Sequence, residues 1–299
     1  MRLIAFADDA GGPRIGLIEP ETGSVLDLQA ADPALPGDMA SFIAHGAVGL
    51  TAAREAAEQA RPEARRALED VTPLPPIPLP PRNILCIGKN YAAHAGEFSG
   101  SAGSLSGVAG GLPEHPIVFT KAATAVIGPG DAIPAYLDDT GTTDYEGELA
   151  VVIGPGGRGI RAAEAWDHVF GFTIVNDVTS RELQKRHGQW FLGKSLDGFC
   201  PMGPELVTTD EIADIDAVRV TTTVNGEKRQ DGRLVDLIFA IPTLIETLSR
   251  AMTLVPGDVI ATGTPEGVGV GFTPPRYLRA GDEVAVHVSG IGTLRNPVA

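Results

Sequence analysis

The chain has 299 residues and lacks several features that would assign it to a particular class of protein. Its only cysteines, Cys86 and Cys200, provide neither a disulfide framework nor a cysteine-based metal site. No apolar stretch is long enough to span a bilayer, and the acidic start does not resemble a signal sequence. The net charge of -15 argues against nucleic acid and anionic membranes as partners. These absences predict a soluble, cytoplasmic protein.

Lysine is also scarce, since only five of the 23 basic residues are lysine. Such a bias can simply reflect genome composition, but it draws attention to where the few lysines lie. Lys121 and Lys194 both occur in segments rich in Gly, Thr and Ser. Segments of that composition form turns and are also common at binding sites, so composition alone leaves both interpretations open.

The chain divides at a run of prolines. Residues 72–81 contain six prolines, which exclude a helix and favour an extended linker. Residues 1–72 predict a small N-terminal α/β domain with three short strands (2–7, 14–18 and 24–28) and a helix over 51–68. Residues 73–81 then form the linker, and residues 82–299 form the larger, catalytic domain.

The larger part predicts many strands and few helices. Apolar runs predict strands at 83–88, 117–120, 149–153, 170–175, 217–224, 258–262 and 283–288, and Asn225-Gly226 predicts a hairpin turn. Helices are expected only at 162–168, 178–187 and 241–251. Because strands follow one another with few helices between them, the pattern favours a β-rich α+β fold over a doubly wound sheet.

Two closely spaced carboxylates begin one of these strands. Glu146 and Glu148 precede the apolar run 149–153, and residues i and i+2 of a strand point to one face. Asp177 ends the next apolar run along the chain. Neighbouring carboxylates repel each other, and three of them without Cys or His suit a hard ion such as Mg2+ or Mn2+. Glu-x-Glu alone fits solvated charges at a strand edge equally well.

A second candidate is His94-x-x-Glu97, whose side chains would be neighbours on a helical turn. A carboxylate beside an imidazole orients it and raises its basicity, which suits a base that activates water. The motif alone also fits a surface ion pair. The Gly- and Ser-rich segment 96–111 follows directly and predicts a lid, although a surface insertion has the same composition.

Residues Gly154 to Gly159 fit the dinucleotide-binding pattern G-x-G-x-x-G after a predicted strand, so a dinucleotide-binding oxidoreductase is an alternative. Pro155 removes an N–H from this loop, and no further alternation of strands and helices follows. A buried parallel strand would also not tolerate two glutamates at its start. We therefore expect a turn here and no nucleotide.

Taken together, the motifs resemble the fumarylacetoacetate hydrolase superfamily from about residue 81 to the C-terminus. The resemblance rests on these segments in order: GKNY with His94 and Glu97, FTK ending at Lys121, DYEGE from Asp144 to Glu148, NDVTSRELQ from Asn176 to Gln184, GKSLD around Lys194, and TGTPEGVG from Thr262 to Gly269.

The resemblance implies a mixed β-roll core and a homodimer, with Mg2+ or Mn2+ held by Glu146, Glu148 and Asp177. It implies that His94 and Glu97 form a catalytic dyad on a lid, and that Lys194 takes part in catalysis. Lys121, Gln184 and Thr264 match positions that contact substrate. The superfamily includes acylpyruvate hydrolases, hydrolases of diketo-deoxy sugar acids, oxaloacetate decarboxylases and tautomerases, and hydratases. The segment after Glu97 is longer and richer in glycine than the usual lid.

Residues and resemblance together predict metal-dependent chemistry on a small 2-oxo acid. The metal would act as a Lewis acid and stabilise an enolate. Hydrolysis of a C–C bond in an acylpyruvate or related 2,4-dioxo acid is the first hypothesis. Oxaloacetate decarboxylation or tautomerisation at the same metal site is the second, and a non-catalytic binding protein is the third.

Overall fold

The computed structural model describes residues 1–8, 11–97 and 112–299, and of Glu97 only the backbone. The glycine-rich segment predicted to be a lid therefore lies almost entirely outside the described residues. The Glu97 side chain, proposed as half of a catalytic dyad, lies outside them as well.

Strands dominate the fold. In chain order they are β1 Arg2–Ala7, β2 Pro13–Glu19, β3 Ser24–Asp27, β4 Arg65–Ala67, β5 Thr72–Leu74, β6 Ile84–Gly88, β7 Ile117–Lys121, β8 Val126–Ile127, β9 Thr143–Asp144, β10 Gly147–Ile153, β11 Val169–Asn176, β12 Thr179–Ser180, β13 Cys200–Thr208, β14 Arg219–Val224, β15 Glu227–Arg233, β16 Val259–Ala261, β17 Glu283–Val288 and β18 Gly292–Pro297.

Most of these strands belong to two sheets. A twelve-stranded sheet has the order β4-β3-β2-β1-β13-β11-β10-β16-β6-β7, with β5 beside β1 and β8 beside β13. A second sheet has the order β15-β14-β17-β18, and β12 pairs with β9. The large sheet is mixed, because β16 runs parallel to β6 while β10 is antiparallel to both its neighbours. This architecture confirms the predicted β-rich α+β fold with a mixed sheet.

Helices are short in the parts of the chain that the structure describes. They are α1 Leu28–Ala31, α2 Met39–Ala44, α3 Gly46–Gln59, α4 Ala92–Glu97, α5 Arg181–Arg186, α6 Phe191–Lys194 and α7 Ile241–Ala251. The prediction for 241–251 is confirmed, whereas 162–168 forms a 3-10 helix. None of the described helices is long and apolar enough to cross a membrane.

The helix predicted over 51–68 is wrong in its bounds. The α-helix α3 ends at Gln59, and residues 65–67 form a strand instead. The reason is Pro62, which cannot donate an N–H and forces the residue before it out of the helical region. Arg61 is accordingly extended, with ψ of 154°.

The N-terminal strands extend the same sheet as the catalytic strands. Arg2 and Leu3 of β1 pair with Val207 and Leu206 of β13, and β5 from the proline-rich run pairs with β1. The division at residues 73–81 into a small domain, a linker and a catalytic domain stays a prediction. What the pairing does establish is that β13 joins the first strand of the chain to β11.

The strands β10 and β11 lie at the centre of the molecule and are buried along their whole length. Alternation sends Leu149, Val151 and Ile153 into one hydrophobic cluster, which also contains Val220 and Val286 of the second sheet. The intervening Ala150 and Val152 enter the cluster beneath the N-terminal helices. Both faces of β10 are therefore covered, and a charge at its first residues is removed from water.

Candidate active site

The pairing register of β10 and β11 brings three carboxylates together. Gly147 pairs with Asn176 across the ladder, so Glu146 and Asp177 lie opposite each other at the strand ends. The backbone N–H of Asp177 donates to the carbonyl of Glu146 at 2.8 Å. Glu148 follows two residues after Glu146 and projects to the same face. Oxygens of Glu146, Glu148 and Asp177 all lie within 4.8 Å of one another, and the three residues are buried.

The glycine between the two glutamates is required by packing against the second sheet. A Cβ at Gly147 would lie 2.2 Å from Thr222 Oγ1 and 2.8 Å from Val286 Cγ1. The Gly147 N–H donates to Gln230 Oε1 at 3.0 Å. The Glu-Gly-Glu sequence thus fixes β10 against β14 and β17 while it places both carboxylates on the opposite face.

Lysine ammonium groups surround these carboxylates. Lys194 Nζ lies 2.8 Å from Glu146 Oε2 and 2.7 Å from Asp177 Oδ2. Lys121 Nζ lies 2.7 Å from Asp177 Oδ1 and donates to the Val178 carbonyl at 2.9 Å. Both lysines are buried, so these ion pairs are shielded from solvent.

Arg181 completes this set of cations, and the sequence predictions missed it. Its Nη1 lies 2.5 Å from Glu146 Oε1 and its Nε lies 2.8 Å from Asp144 Oδ2. Asp144 also accepts from the N–H groups of Gly269 and Val270, at 2.7 and 2.9 Å. The signal was present in the segment from Asn176 to Gln184, where Arg181 begins the helix after Asp177.

The cations divide the two glutamates into different electrostatic environments. Burial opposes ionisation of Glu146, but the charges of Lys194 and Arg181 outweigh it and lower its pKa to about 2. Burial, with the negative charges of Asp177 and Glu146, raises the pKa of Glu148 well above its ordinary value. Glu148 Oε2 accepts from the Gly263 N–H at 2.7 Å, which offsets only part of this effect. Glu148 is therefore the carboxylate that most needs an additional positive charge.

These residues fit a divalent cation. The donor set is three carboxylates, which hard ions such as Mg2+ and Mn2+ prefer. Each carboxylate oxygen has two lone pairs, so an oxygen that accepts from Lys194 or Arg181 can still ligate a metal. Burial is the largest cause of the raised pKa of Glu148, and the repulsion from Asp177 and Glu146 that adds to it is what a bound cation would offset. Glu146, Glu148 and Asp177 can together hold one such ion.

His94 lies in the pocket that Glu146 and Glu148 line. It is carried by α4, directly after β6, and is only 4% exposed. Asn90 anchors the connection because its Nδ2 donates to the carbonyls of Thr262 and Phe239, at 2.8 and 3.0 Å. The pocket is lined by a mixture of charged, polar, aromatic and apolar residues, namely Ile87, Gly88, Lys89, His94, Phe119, Glu146, Glu148, Arg181, Gln184, Trp190, Lys194 and Thr264.

The predicted substrate contacts occupy different positions. Gln184 and Thr264 line the pocket, where they can meet a ligand. Thr264 Oγ1 also donates to the Gly147 carbonyl at 3.0 Å and accepts from Gln230 Nε2 at 2.7 Å. Lys121 does not line this pocket, since its ammonium lies against Asp177. Its role as a substrate contact stays a prediction, and its position suits a residue that holds Asp177.

Two aromatic residues that the sequence predictions missed, Phe119 and Trp190, form an aromatic wall on one side of the pocket. The rings of Phe119 and Trp190 meet edge to face with centroids 5.1 Å apart, and Lys194 Nζ lies 5.1 Å from the Phe119 centroid. A Cβ at Gly88 would lie 2.5 Å from Trp190 Cζ3, so only glycine admits the indole there. The wall presents an apolar surface beside an otherwise charged site.

The glycine-rich loop of residues 154–159 is engaged within the protein. The N–H groups of Gly154, Gly157 and Gly159 donate to the carbonyls of His168, Leu254 and Ser249, at 2.9, 2.9 and 2.8 Å. The strand before it is antiparallel to its neighbours, and a 3-10 helix follows. The loop therefore lacks both the set of free N–H groups and the parallel βα context of a dinucleotide site.

The two cysteines are free and buried. Burial raises the pKa of Cys86 well above its ordinary value and that of Cys200 to about 12. Burial keeps both thiols protonated near neutral pH, so neither is a candidate nucleophile.

The fold and the site define a class of enzyme: a mixed-sheet protein with three clustered buried carboxylates, two of which line a pocket together with a buried lysine and a histidine. The model of the fumarylacetoacetate (FAA) hydrolase C-terminal family matches residues 83–299. The chain belongs to the fumarylacetoacetate hydrolase family and is an enzyme of that family.

Relatives cover nearly the whole chain. The oxaloacetate tautomerase YisK of Bacillus subtilis is 48% identical over 296 residues, which cover 95% of each chain. The mitochondrial oxaloacetate tautomerase FAHD2A of Bos taurus is 40% identical over 301 residues, covering 100% of this chain and 91% of that protein.

Solved structures share the fold. The fumarylacetoacetate hydrolase of Exiguobacterium antarcticum is 42% identical, with a TM-score of 0.81 and coverage of 100% of this chain and 99% of that one. Maleylpyruvate hydrolase of Sphingobium sp. SYK-6, in complex with manganese(II) and pyruvate, is 29% identical with a TM-score of 0.78 and the same coverage.

Proposed function

We propose that this protein is a divalent-metal-dependent oxaloacetate tautomerase. One observation carries the proposal: relatives that match nearly the full chain at 40 and 48% identity are oxaloacetate tautomerases. The pocket supplies the groups that such a reaction needs, since a cation site, an ammonium and an imidazole line one cavity. The sequence ranked hydrolysis of a C–C bond first, and the relatives favour the second hypothesis instead.

Glu146, Glu148 and Asp177 would hold the ion, which we propose to be Mg2+ or Mn2+. The maleylpyruvate hydrolase structure contains manganese, which supports this choice. When bound, the ion would supply Lewis-acid chemistry to the oxygens of a 2-oxo acid.

The surrounding residues have separate roles in this proposal. Tautomerisation moves a proton between the C2 oxygen and C3, and negative charge develops on the C2 oxygen. Lys194, whose ammonium lies in the pocket, offsets that charge. His94 exchanges the proton at C3, because it is the imidazole that lines this pocket. Phe119 and Trp190 exclude water from the same side.

Hydrolysis of an acylpyruvate is the second candidate. The maleylpyruvate hydrolase with manganese and pyruvate favours it, because that enzyme has the same fold over the whole chain. In this reaction His94 would deprotonate a water that attacks the distal carbonyl. Decarboxylation of oxaloacetate would require the same cation site but no water.

The test is a metal-supplemented assay with three readouts. Ultraviolet absorbance follows the exchange of enol and keto oxaloacetate, while pyruvate and CO2 are measured separately. A tautomerase accelerates the exchange without releasing either product. Release of pyruvate with CO2 would replace the proposal by decarboxylation, and release of pyruvate with an organic acid from acylpyruvates would replace it by hydrolysis.

The homodimer and the cytoplasmic location inferred from sequence stay predictions. Sedimentation of the native protein tests the first of these, since a homodimer doubles the mass of 31.1 kDa.

A further inference from the structure

Asp144 is a buried carboxylate beside the candidate metal site, and the reaction proposed above does not use it. It belongs to β9, lies two residues before Glu146 and is fully buried. It is absent from the lining of the active-site pocket, so it does not meet substrate there. Because a buried charge is costly unless it is paired, the groups that Asp144 contacts show what it stabilises.

Each oxygen of the Asp144 carboxylate accepts from two groups. Oδ1 accepts from the backbone N–H groups of Tyr145 and Gly269, at 2.9 and 2.7 Å. Oδ2 accepts from the Val270 N–H at 2.9 Å and from Arg181 Nε at 2.8 Å. Asp144 thereby connects the loop that follows β16 to Arg181, the first residue of α5.

The guanidinium of Arg181 bridges two carboxylates. Its Nε contacts Asp144, while its Nη1 lies 2.5 Å from Glu146 Oε1. The other oxygen of Glu146, Oε2, lies 2.8 Å from the ammonium of Lys194. Both oxygens of this candidate metal ligand are therefore next to a protein cation, and a divalent ion would have to share one of them.

This sharing depends on where the guanidinium is held. Arginine binds a carboxylate most strongly when two parallel N–H groups donate to both of its oxygens. If Arg181 bound Glu146 in this way while Lys194 kept its contact, Oε2 would accept two hydrogen bonds. An oxygen has two lone pairs, so Oε2 would have none left for a metal. An anchor on Nε opposes this rearrangement, because the guanidinium is planar and fixing one nitrogen restricts the others.

We propose that Asp144 is a positioning residue that acts through Arg181 to keep Glu146 available to a divalent ion. The inference rests on the metal site of the proposed function and deepens it. Asp144 holds Nε, which fixes the guanidinium beside Glu146. Its negative charge also offsets the charge of Arg181, so that this cation repels an incoming ion less strongly.

The experiment measures the binding of Mg2+ and of Mn2+ to the metal-free protein by calorimetry, without substrate. Asp144→Asn keeps nearly the same shape but removes the negative charge that holds Arg181. We expect the dissociation constant for both ions to rise about 10- to 100-fold, the usual effect of losing an outer partner in a metal site. Circular dichroism establishes that each variant is folded.

Arg181→Met separates a positioning role of Asp144 from a structural one. In this variant the loop N–H groups still meet Asp144, but the guanidinium is gone. Because a positive charge beside Glu146 is lost, the ions should bind at least as tightly as in the native protein. The double variant Asp144→Asn/Arg181→Met should match Arg181→Met within about three-fold, since Asp144 then has no guanidinium to hold.

An exposed aspartate–arginine pair provides the matched control. Asp236 lies 3.3 Å from Arg233, both side chains are exposed, and neither residue lines the pocket. Asp236→Asn makes the same substitution, and the affinity for both ions should stay unchanged because solvent screens this pair.

Two results would overturn the proposal. Native metal affinity in Asp144→Asn would show that Asp144 does not serve the metal site. A double variant that binds the ions much more weakly than Arg181→Met would show that Asp144 acts through the loop and not through Arg181. The second comparison is decisive by itself if Asp144→Asn does not fold, because the double variant removes both charges of the buried pair together.

The outcomes distinguish failure of this inference from failure of the proposed function. If the native protein binds Mg2+ or Mn2+ but does not act on oxaloacetate, the proposed function fails, and the metal affinities of the variants still test the role of Asp144. If it acts on oxaloacetate and the affinities do not depend on Asp144 through Arg181, only the inference fails. A native protein that binds neither ion would overturn both.

Discussion

The two sides of the pocket are built in different ways. On one side, Glu146, Glu148 and Asp177 are fixed by the register of β10 and β11, and cations hold two of them. On the other side, Lys89 and His94 lie on a short connection and a six-residue helix, next to a segment outside the described residues. The strand side is suited to hold charges in fixed positions, and the helix side is suited to meet substrate.

The difference shows why one pocket needs both kinds of support. Buried charges are costly unless they are paired. They are therefore best placed on a strand whose neighbours on both sides fix the positions of the side chains. Groups that exchange protons or recognise a substrate must reach ligands of varying shape, and residues on loops and short helices do so more readily. Substitutions on the strand side should therefore reduce metal binding and stability, whereas those on the helix side should reduce turnover.

The largest expected effect comes from the strand side. Replacing Glu148 by Ala removes one of three carboxylates, and we expect metal and activity to be lost together, with kcat/KM reduced by on the order of 10³-fold or more. Metal content is measured by elemental analysis beside the kinetic assay. Glu283→Ala, which removes an exposed carboxylate from β17, is the control and should retain both. Full activity after exhaustive chelation would contradict the metal site itself.

The next effect tests the cations that hold the strand side. Lys194→Met leaves Glu146 and Asp177 without their shared ammonium, and breaking a buried pair from one side costs about 3–5 kcal/mol of stability. Chemical denaturation of the metal-free protein measures this loss in the free energy of unfolding. Lys185→Met provides the comparison, because Lys185 is exposed on α5. Equal stability of the two variants would mean that Lys194 contributes nothing to holding the carboxylates.

Substitutions on the helix side should slow the chemical step while metal affinity stays unchanged. His94→Ala is expected to lower kcat by about 10²- to 10⁴-fold, the usual contribution of a general acid or base, with unchanged metal affinity. If His94 and Glu97 act as one unit, the double variant should be little worse than either single variant. Additive losses would separate the two residues, and near-normal turnover by His94→Ala would remove it from the mechanism.

The smallest effect is a pH dependence of stability on the strand side. The pKa of Glu148 is raised in the folded, metal-free protein, so the folded state keeps a proton that an unfolded glutamate loses near its ordinary value of 4.5. Its contribution is therefore fully present below that pH and is lost as the pH rises through the raised pKa.

Denaturation curves of the metal-free protein and of Glu148→Gln, recorded from pH 4 to 8, isolate this contribution. The native protein should lose stability relative to the variant as the pH rises, and added Mg2+ should restore it in the native protein alone. Parallel curves for the two proteins without metal would show that Glu148 ionises normally.

Local sequence rules were sufficient for some elements and failed for others. Asn225-Gly226 predicted a hairpin, and both residues have the positive φ that such a turn requires. The strand β13 was missed because its sequence, CPMGPELVT, contains two prolines and a glycine that hide any alternation. It nevertheless lies between β1 and β11, a position that only long-range pairing determines.

In the candidate site, too, local sequence patterns indicated some residues and missed others. Glu-x-Glu and a strand-end Asp indicated the carboxylates, because strand periodicity is a local property of the chain. Arg181 was missed although it lies in the segment from Asn176 to Gln184, because its ion pairs with Asp144 and Glu146 form only in the folded chain. The expectation that Lys121 meets substrate stays a prediction, and what the structure adds is the contact of its ammonium with Asp177.

The sequence by itself determined the family, the strand-rich class of fold and the identity of the three carboxylates, because these depend on residue types at short, fixed separations. The tertiary structure decided which cations neutralise them, which glutamate keeps a raised pKa, and which lysines line the pocket. Those properties depend on distances between side chains far apart in the chain and on burial. The pairing of strands and the packing of the two sheets determine these distances and this burial.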